Sequence, residues 1–294
     1  MPSLYVEVRD DLASIMFNVF GTQRSKQLLQ RQRCRIGSLV EVVHVHCAPR
    51  CVSFVRLYSR APQSARQTHD ETRGETMIRT ENLRSAFTKD DVDEYLYKLL
   101  PERDAVVREM EDYAAEHGVP IIGPAVARLL SLLVQVSGAK RIFEMGSAIG
   151  YSTIWLARAA GPKGKVFYTD GDLEKVHRAQ MYFRMAGVAK RIEVQIGDAL
   201  AIVKKTPGMF DVIFIDVDKN QYPAALHAVR PKLRRGGLLI TDNTIWSGKA
   251  ARPAPEEDKD TKGVQEFNRM VYASKELYPV LIPLRDGLTI CRKS

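Results

Sequence analysis

Asp216, Asp218 and Lys219 are packed into four residues, directly after the apolar run that opens "DVIFIDVDKNQY". An unpaired charge is too costly to keep in an apolar core, so the run ends either in solvent or on something cationic. A second apolar run, "GLLITDN", closes on Asp242 and Asn243. If the two runs are neighbouring strands, their tips bring two carboxylates and one amide oxygen together. Hard oxygen ligands in that number suit Mg²⁺, Mn²⁺ or Ca²⁺ rather than zinc, and they leave positions open for water and a substrate. Lys219 lies three residues after Asp216. A free lysine, with a pKa of about 10.4, is a poor base at neutral pH. A nearby divalent cation and partial burial disfavour its ammonium form.

The stretch "FEMGSAIGYS" points to a different task. Gly146 and Gly150 let the backbone approach a ligand closely. A dinucleotide fingerprint needs a glycine where Ala148 stands, so the cradle for a pyrophosphate is incomplete. Asp170 closes the run "KVFYTD", 20 residues beyond Gly150, where an acid accepts both hydroxyls of a ribose. A nucleoside without a pyrophosphate fits this pattern better than NAD, which disfavours a dehydrogenase.

The elements that must position these residues follow one another from Met77 onward. "DDVDEYLYKLL", "RDAVVREMEDYAAEHG" and "GPAVARLLSLLVQVSG" carry apolar residues at helical spacing, with Gly118 and Gly138 as stops. Strands read at 141–146, 165–170, 191–198, 210–216 and 237–243, separated by helical segments such as "TIWLARAAG" and "DLEKVHRAQMYFRMAG". Such alternation predicts a mostly parallel sheet covered on both faces. "YPVLIPLRDGLTICRK" adds two strands around "RDG", an antiparallel hairpin at the sheet edge. The expected fold is one doubly wound α/β domain with a seven-stranded sheet. In such sheets ligands bind beyond the carboxyl ends of the strands, and there the sequence places Glu144 with Gly146, Asp170, Asp198, Asp216, and Asp242 with Asn243.

Together, "E-x-G-x-x-x-G-Y-S", "IDVDKNQY" and "ITDN" resemble the metal-dependent class I O-methyltransferases that use S-adenosylmethionine, the catechol and caffeoyl-CoA group. The resemblance covers roughly residues 85–294. It implies a Rossmann-like class I methyltransferase fold in which Gly146 lines the methionine part of the cofactor and Ser152 binds its carboxylate. Asp170 would hold the ribose, Asp198 with Ala199 would sit by the adenine, and Glu144 matches the acid at the first strand tip. Asp216 would serve both cofactor and metal, with Asp242 and Asn243 as the other metal ligands. Lys219 matches the base that takes the proton from the attacking hydroxyl. The implied substrate is a small aromatic vicinal diol, and the implied assembly a homodimer. Tyr222 either walls the substrate or fills the core; Trp246 either stacks on the substrate or packs. Asp218 reads as a solvent-facing or helix-start charge, and His177 and His227 as surface or packing residues.

Residues 1–76 have no counterpart in that family and read as an N-terminal extension, partly disordered or dispensable, with Met77 an alternative start. "SLVEVVHVHCAPRCVSFVRLY" could supply one or two strands, and residues 60–76 read as a linker. His44, His46, Cys47 and Cys51 crowd together, but their spacing matches no standard zinc finger. Acidic Glu7, Asp10 and Asp11 argue against a transit peptide. The four cysteines form no disulfide framework, which points to a reducing cytoplasm, and no run is long enough to span a bilayer. A net charge of +9 permits a nucleic-acid partner, but no dense basic run favours one. Two competing functions therefore stand beside the diol methyltransferase: an O-methyltransferase of a hydroxylated tRNA base, and a non-catalytic cofactor-binding module.

Overall fold

The computed structural model describes residues 39–47, 50–58 and 90–294. The chain divides into two units, residues 1–76 and 77–294. In the first, β1 (Leu39–Cys47) and β2 (Arg50–Tyr58) pair antiparallel, His46 opposite Cys51. The expected linker at 60–76 and the side chains of the His/Cys cluster lie outside the described residues.

The described part of the second unit starts with three helices. α1 spans Asp90–Lys98, α2 Ala105–His117 and α3 Gly123–Val136. Asp104 caps α2 by accepting from the Val107 N–H, and Gly118 ends it in the left-handed conformation, φ 66°. Then strands and helices alternate: β3 (Arg141–Met145), α4 (Tyr151–Ala160), β4 (Lys165–Asp170), α5 (Leu173–Met185), β5 (Ile192–Ile196), α6 (Ala199–Lys205) and β6 (Phe210–Ile215). α7 (Tyr222–Val229), β7 (Leu233–Thr241), α8 (Lys259–Ala273), β8 (Leu277–Ile282) and β9 (Leu288–Lys293) complete the unit.

The seven strands lie in the order β5-β4-β3-β6-β7-β9-β8. β3 through β7 run parallel, whereas β9 pairs antiparallel with both β7 and β8. The hairpin expected at the edge is thus present, with its second strand, β9, lying inside. Because the strand period is two, alternate residues feed two cores. Ile142, Val166, Tyr168, Val212 and Phe214 pack beneath α2–α5. Phe143, Met145, Phe167, Ile213 and Ile215 pack beneath α6–α8. β4 and β5 lie to one side of β3 and β6 to the other, so the topological switch falls between β3 and β6. A ligand cleft is expected above that gap. Among the described residues no helix is long and apolar enough to cross a membrane.

Candidate active site

The turn after β3 and the end of β6 meet at the switch point. Gly146 has φ 80°, and a Cβ there would collide with the Asp216 backbone carbonyl. Glycine at 146 is therefore required by the contact between two strand ends, besides any approach to a ligand. The Asp216 N–H donates to the Met145 carbonyl at 2.8 Å, which fixes this contact.

Glu144, in β3, is fully buried. Its Oε2 accepts from the Thr153 hydroxyl, while Oε1 has no hydrogen-bond partner. Burial pushes its carboxyl up to about 7, opposed by the Ser152, Thr153 and Ser147 hydroxyls and reinforced by the Asp216 charge. Ser152, in the first turn of α4, is also buried. A buried acid with an open oxygen among three hydroxyls fits the charged amino-acid end of a ligand such as S-adenosylmethionine. Asp170 ends β4, and its Oδ2 accepts from the Ala148 N–H at 2.8 Å. Its Oδ1 accepts from the Asp172 N–H at 2.9 Å. The acid thus locks the glycine turn, and the second lone pair of each oxygen remains for a ribose. Asp198 is exposed and caps α6 by accepting from Leu200 and Ala201, with Ala199 buried beside it. The strand read through 198 stops at Ile196 because the chain turns into that cap.

On the other side of Gly146, Lys219 Nζ donates to Asp216 Oδ1 at 3.0 Å and to the Val217 carbonyl at 3.3 Å. Its side chain is only 14% exposed. It lies between the rings of Tyr222 and Trp246, 5.5 and 5.6 Å from their centroids. Lys219 begins a single 3-10 turn, and α8 presses on that turn backbone to backbone at Gly263, where a Cβ would strike the Lys219 carbonyl. A glycine inside a helix costs roughly 1 kcal/mol; here it permits the close approach that seats the lysine. Tyr222 takes the core place. It is fully buried, packs edge-on against Phe267, and donates its hydroxyl to the Asp242 carbonyl at 2.9 Å. Trp246 is partly buried against the α6–α8 core, with its indole N–H unpartnered. Asp218, His177 and His227 are exposed.

Asp242, directly after β7, is fully buried and neither carboxylate oxygen has a hydrogen-bond partner. Burial and then the Asp216 charge raise its pKa; Arg285 and Lys219 act in the opposite direction. A carboxylate so placed calls for a cation. Arg285 Nη1 approaches Asp242 Oδ2 at 3.6 Å. Asn243, in the left-handed region at φ 53°, donates its amide to Asp286 Oδ2 at 3.3 Å, which leaves its own oxygen as an acceptor. Asp286 also accepts from the Ser247 N–H, tying the loop after β7 to the β8–β9 turn. No three His, Cys, Asp or Glu side chains converge among the described residues; the oxygen set here is two carboxylates and an amide. It fits a hard divalent cation.

Sequence reasoning missed Arg285, Asp286, Gly263 and the anchor of α4. That anchor is Tyr151, whose hydroxyl donates to Glu111 Oε1 at 2.7 Å, with Arg103 at 2.9 Å from the other oxygen. Only the "RDG" turn and the "GYS" motif offered a signal, for three of them; Gly263 had none.

A profile of the O-methyltransferase family matches residues 102–294. The catechol O-methyltransferase of Niastella koreensis is 34% identical over 191 residues, covering 63% of this chain and 86% of its own length. Caffeoyl-CoA O-methyltransferase 1 of Arabidopsis thaliana is 28% identical and covers 76% of this chain and 94% of its own. Among solved structures, the O-methyltransferase of tomaymycin synthesis from Streptomyces achromogenes, in complex with S-adenosylmethionine, superposes with a TM-score of 0.64 at 28% identity. It covers 69% of this chain and 96% of its own.

Proposed function

The chain belongs to the O-methyltransferase family and uses S-adenosylmethionine, and from that premise we propose that the accepting oxygen belongs to a small aromatic vicinal diol. Relatives named for catechol and caffeoyl-CoA support a phenolic acceptor. The observation that carries the reading is Asp242, fully buried with neither oxygen hydrogen-bonded and only the Arg285 guanidinium at 3.6 Å, one strand away from Asp216 and Lys219.

In this reading Asp216, Asp242 and Asn243 hold a divalent cation. When bound, that ion lowers the pKa of a coordinated hydroxyl and fixes two adjacent oxygens. Lys219, after losing its ammonium proton to solvent and leaving Asp216 Oδ1, accepts the hydroxyl proton on Nζ as the neutral amine. Glu144, Ser152 and Asp170 orient the cofactor through its ammonium, carboxylate and ribose, and Asp198 and Ala199 flank the adenine. Trp246 covers Lys219 and excludes water from one side of it. Residues 1–76 are proposed to be dispensable for this chemistry.

Methyl transfer to catechol, a hydroxycinnamoyl thioester and tRNA, each with Mg²⁺ or with excess chelator, tests the reading. Metal-dependent methylation of a diol is expected. Undiminished turnover in chelator removes the metal role, and tRNA as the sole acceptor removes the small diol.

A further inference from the structure

Arg285 occupies the tip of the β8–β9 turn with φ 53°, a left-handed backbone that residues other than glycine seldom adopt. The turn cannot relax freely, because Asp286 beside it is held by Asn243 and Ser247, and the Ile245 N–H donates to the Asp286 carbonyl at 2.9 Å. This strained residue puts its guanidinium 3.6 Å from Asp242, with its side chain 16% exposed. The same side chain lines a cavity of about 240 Å³ with Leu96, Tyr97, Leu100, Arg128 and Leu284. One side chain therefore touches both a metal-ligand candidate and the neighbouring cavity. A substrate ring held by a diol at Asp242 would have Arg285 as its neighbour, with the cavity beside it.

Charge decides what the far end of that ring should carry. With no cation bound, Asp242 offsets Arg285. A divalent ion on Asp216 and Asp242 takes up both carboxylates and leaves the largely covered guanidinium without a counter-ion, which is costly. Asp93 and Arg128 also line the cavity, so its described lining carries one acid and two guanidinium groups. With Asp242 taken up by a cation, positive side chains outnumber negative ones in the described lining of the cavity. A guanidinium meets a carboxylate through two parallel hydrogen bonds, a better match than any neutral group offers.

Resting on the diol reading above, we propose that Arg285 binds a carboxylate on the substrate, so that the preferred acceptors are dihydroxy aromatic acids. The cavity holds one ring with a short acidic substituent. Neutral catechols and esters leave Arg285 unpaired.

Calorimetry on the full chain, loaded with Mg²⁺ and S-adenosylhomocysteine, separates the contacts with three ligands: protocatechuate, its methyl ester, and benzoate, which lacks the diol. The acid is expected to bind about tenfold more tightly than the ester, as one charge-assisted pair implies. Arg285→Gln, which keeps the side chain's length, should bring the ratio near one and abolish benzoate binding. Arg285→Gly removes the backbone strain and serves as a second variant with the same expected loss. Equal affinity for acid and ester in the wild type, or a preference that survives both variants, overturns the proposal. Methyl-transfer rates on the acid and the ester distinguish the two readings. If no diol is methylated while acid preference persists, the diol reading fails and the carboxylate contact stands; equal methylation of both, with no binding preference, gives the reverse.

Discussion

The hydroxyl of Tyr222 donates to the backbone carbonyl of Asp242 at 2.9 Å, so the first residue of α7 holds the end of β7. Tyr222→Phe keeps the ring against Phe267 and leaves that carbonyl unpaired. Stability should fall by about 1–2 kcal/mol, read from urea unfolding. Metal affinity should fall several-fold in calorimetry, because Asp242 loses its support. An unchanged affinity would confine Tyr222 to packing.

Glu144 sets a pH dependence. Its carboxyl is held up to about 7 in the folded protein against an ordinary value of 4.5, with burial as the main cause. Below 4.5 both folded and unfolded chains hold the proton, and between the two values the folded chain alone holds it. Its contribution is therefore fully present in acid and is lost as pH rises towards neutrality, by on the order of 3 kcal/mol. Metal-free wild type and Glu144→Gln, compared by urea unfolding across that range, should differ in slope, the variant being flatter. Parallel curves would mean that Glu144 is ionised throughout.

Asp170 has two jobs that one substitution separates. Asp170→Asn can still accept from one of the two backbone N–H groups it now serves, Ala148 and Asp172, but it no longer presents a charged acceptor to a ribose. S-adenosylmethionine affinity should drop by about tenfold or more, since hydrogen bonds to a charged group contribute ~1.5–3 kcal/mol. The melting temperature should change little. A large melting shift with intact affinity would make Asp170 a brace of the glycine turn and nothing else.

Lys219→Ala should cut turnover by ~10²-fold, the lower part of the range for losing a general base. Cofactor affinity should stay close to wild type, and higher pH should restore part of the rate, because the diol then ionises without help. The variant also frees Asp216 Oδ1 from its 3.0 Å ion pair, so metal should bind no more weakly than before. Wild-type turnover at every pH would reduce Lys219 to a counter-ion of Asp216.

A chain beginning at Met77 should retain cofactor binding and activity, since every proposed ligand lies in the second unit. Loss of cofactor binding, with the full chain active, would assign residues 1–76 a part in the fold.

The tips of β4, β6 and β7 were legible because each is an apolar run that closes on an acid, and the rule that ligands gather beyond the carboxyl ends does not depend on side-chain detail. The helices were legible through their stops, Gly118 and Gly138, and their apolar spacing. What stayed hidden depends on distant parts of the chain meeting. Arg285 reads as one residue of a hairpin turn until β9 pairs with β7 and brings the turn over Asp242. Gly263 reads as a weak point in a helix until α8 is pressed against the Lys219 turn. Asp198 and Asp170 were located as acids at strand ends, but their work as backbone acceptors depends on the neighbouring loops.

The contact between Gly146 and the Asp216 carbonyl bears on how this site can change over generations. The turn assigned to the cofactor and the strand end assigned to the metal share one backbone junction with no room for a methyl group. A substitution at 146 that reshapes the cofactor pocket must also displace Asp216, and Lys219 with it. Under those assignments, cofactor preference and metal preference would be inherited as a single trait. With Arg285 assigned to the substrate, acceptor preference would vary instead through the hairpin tip, which shares no such backbone junction with Gly146.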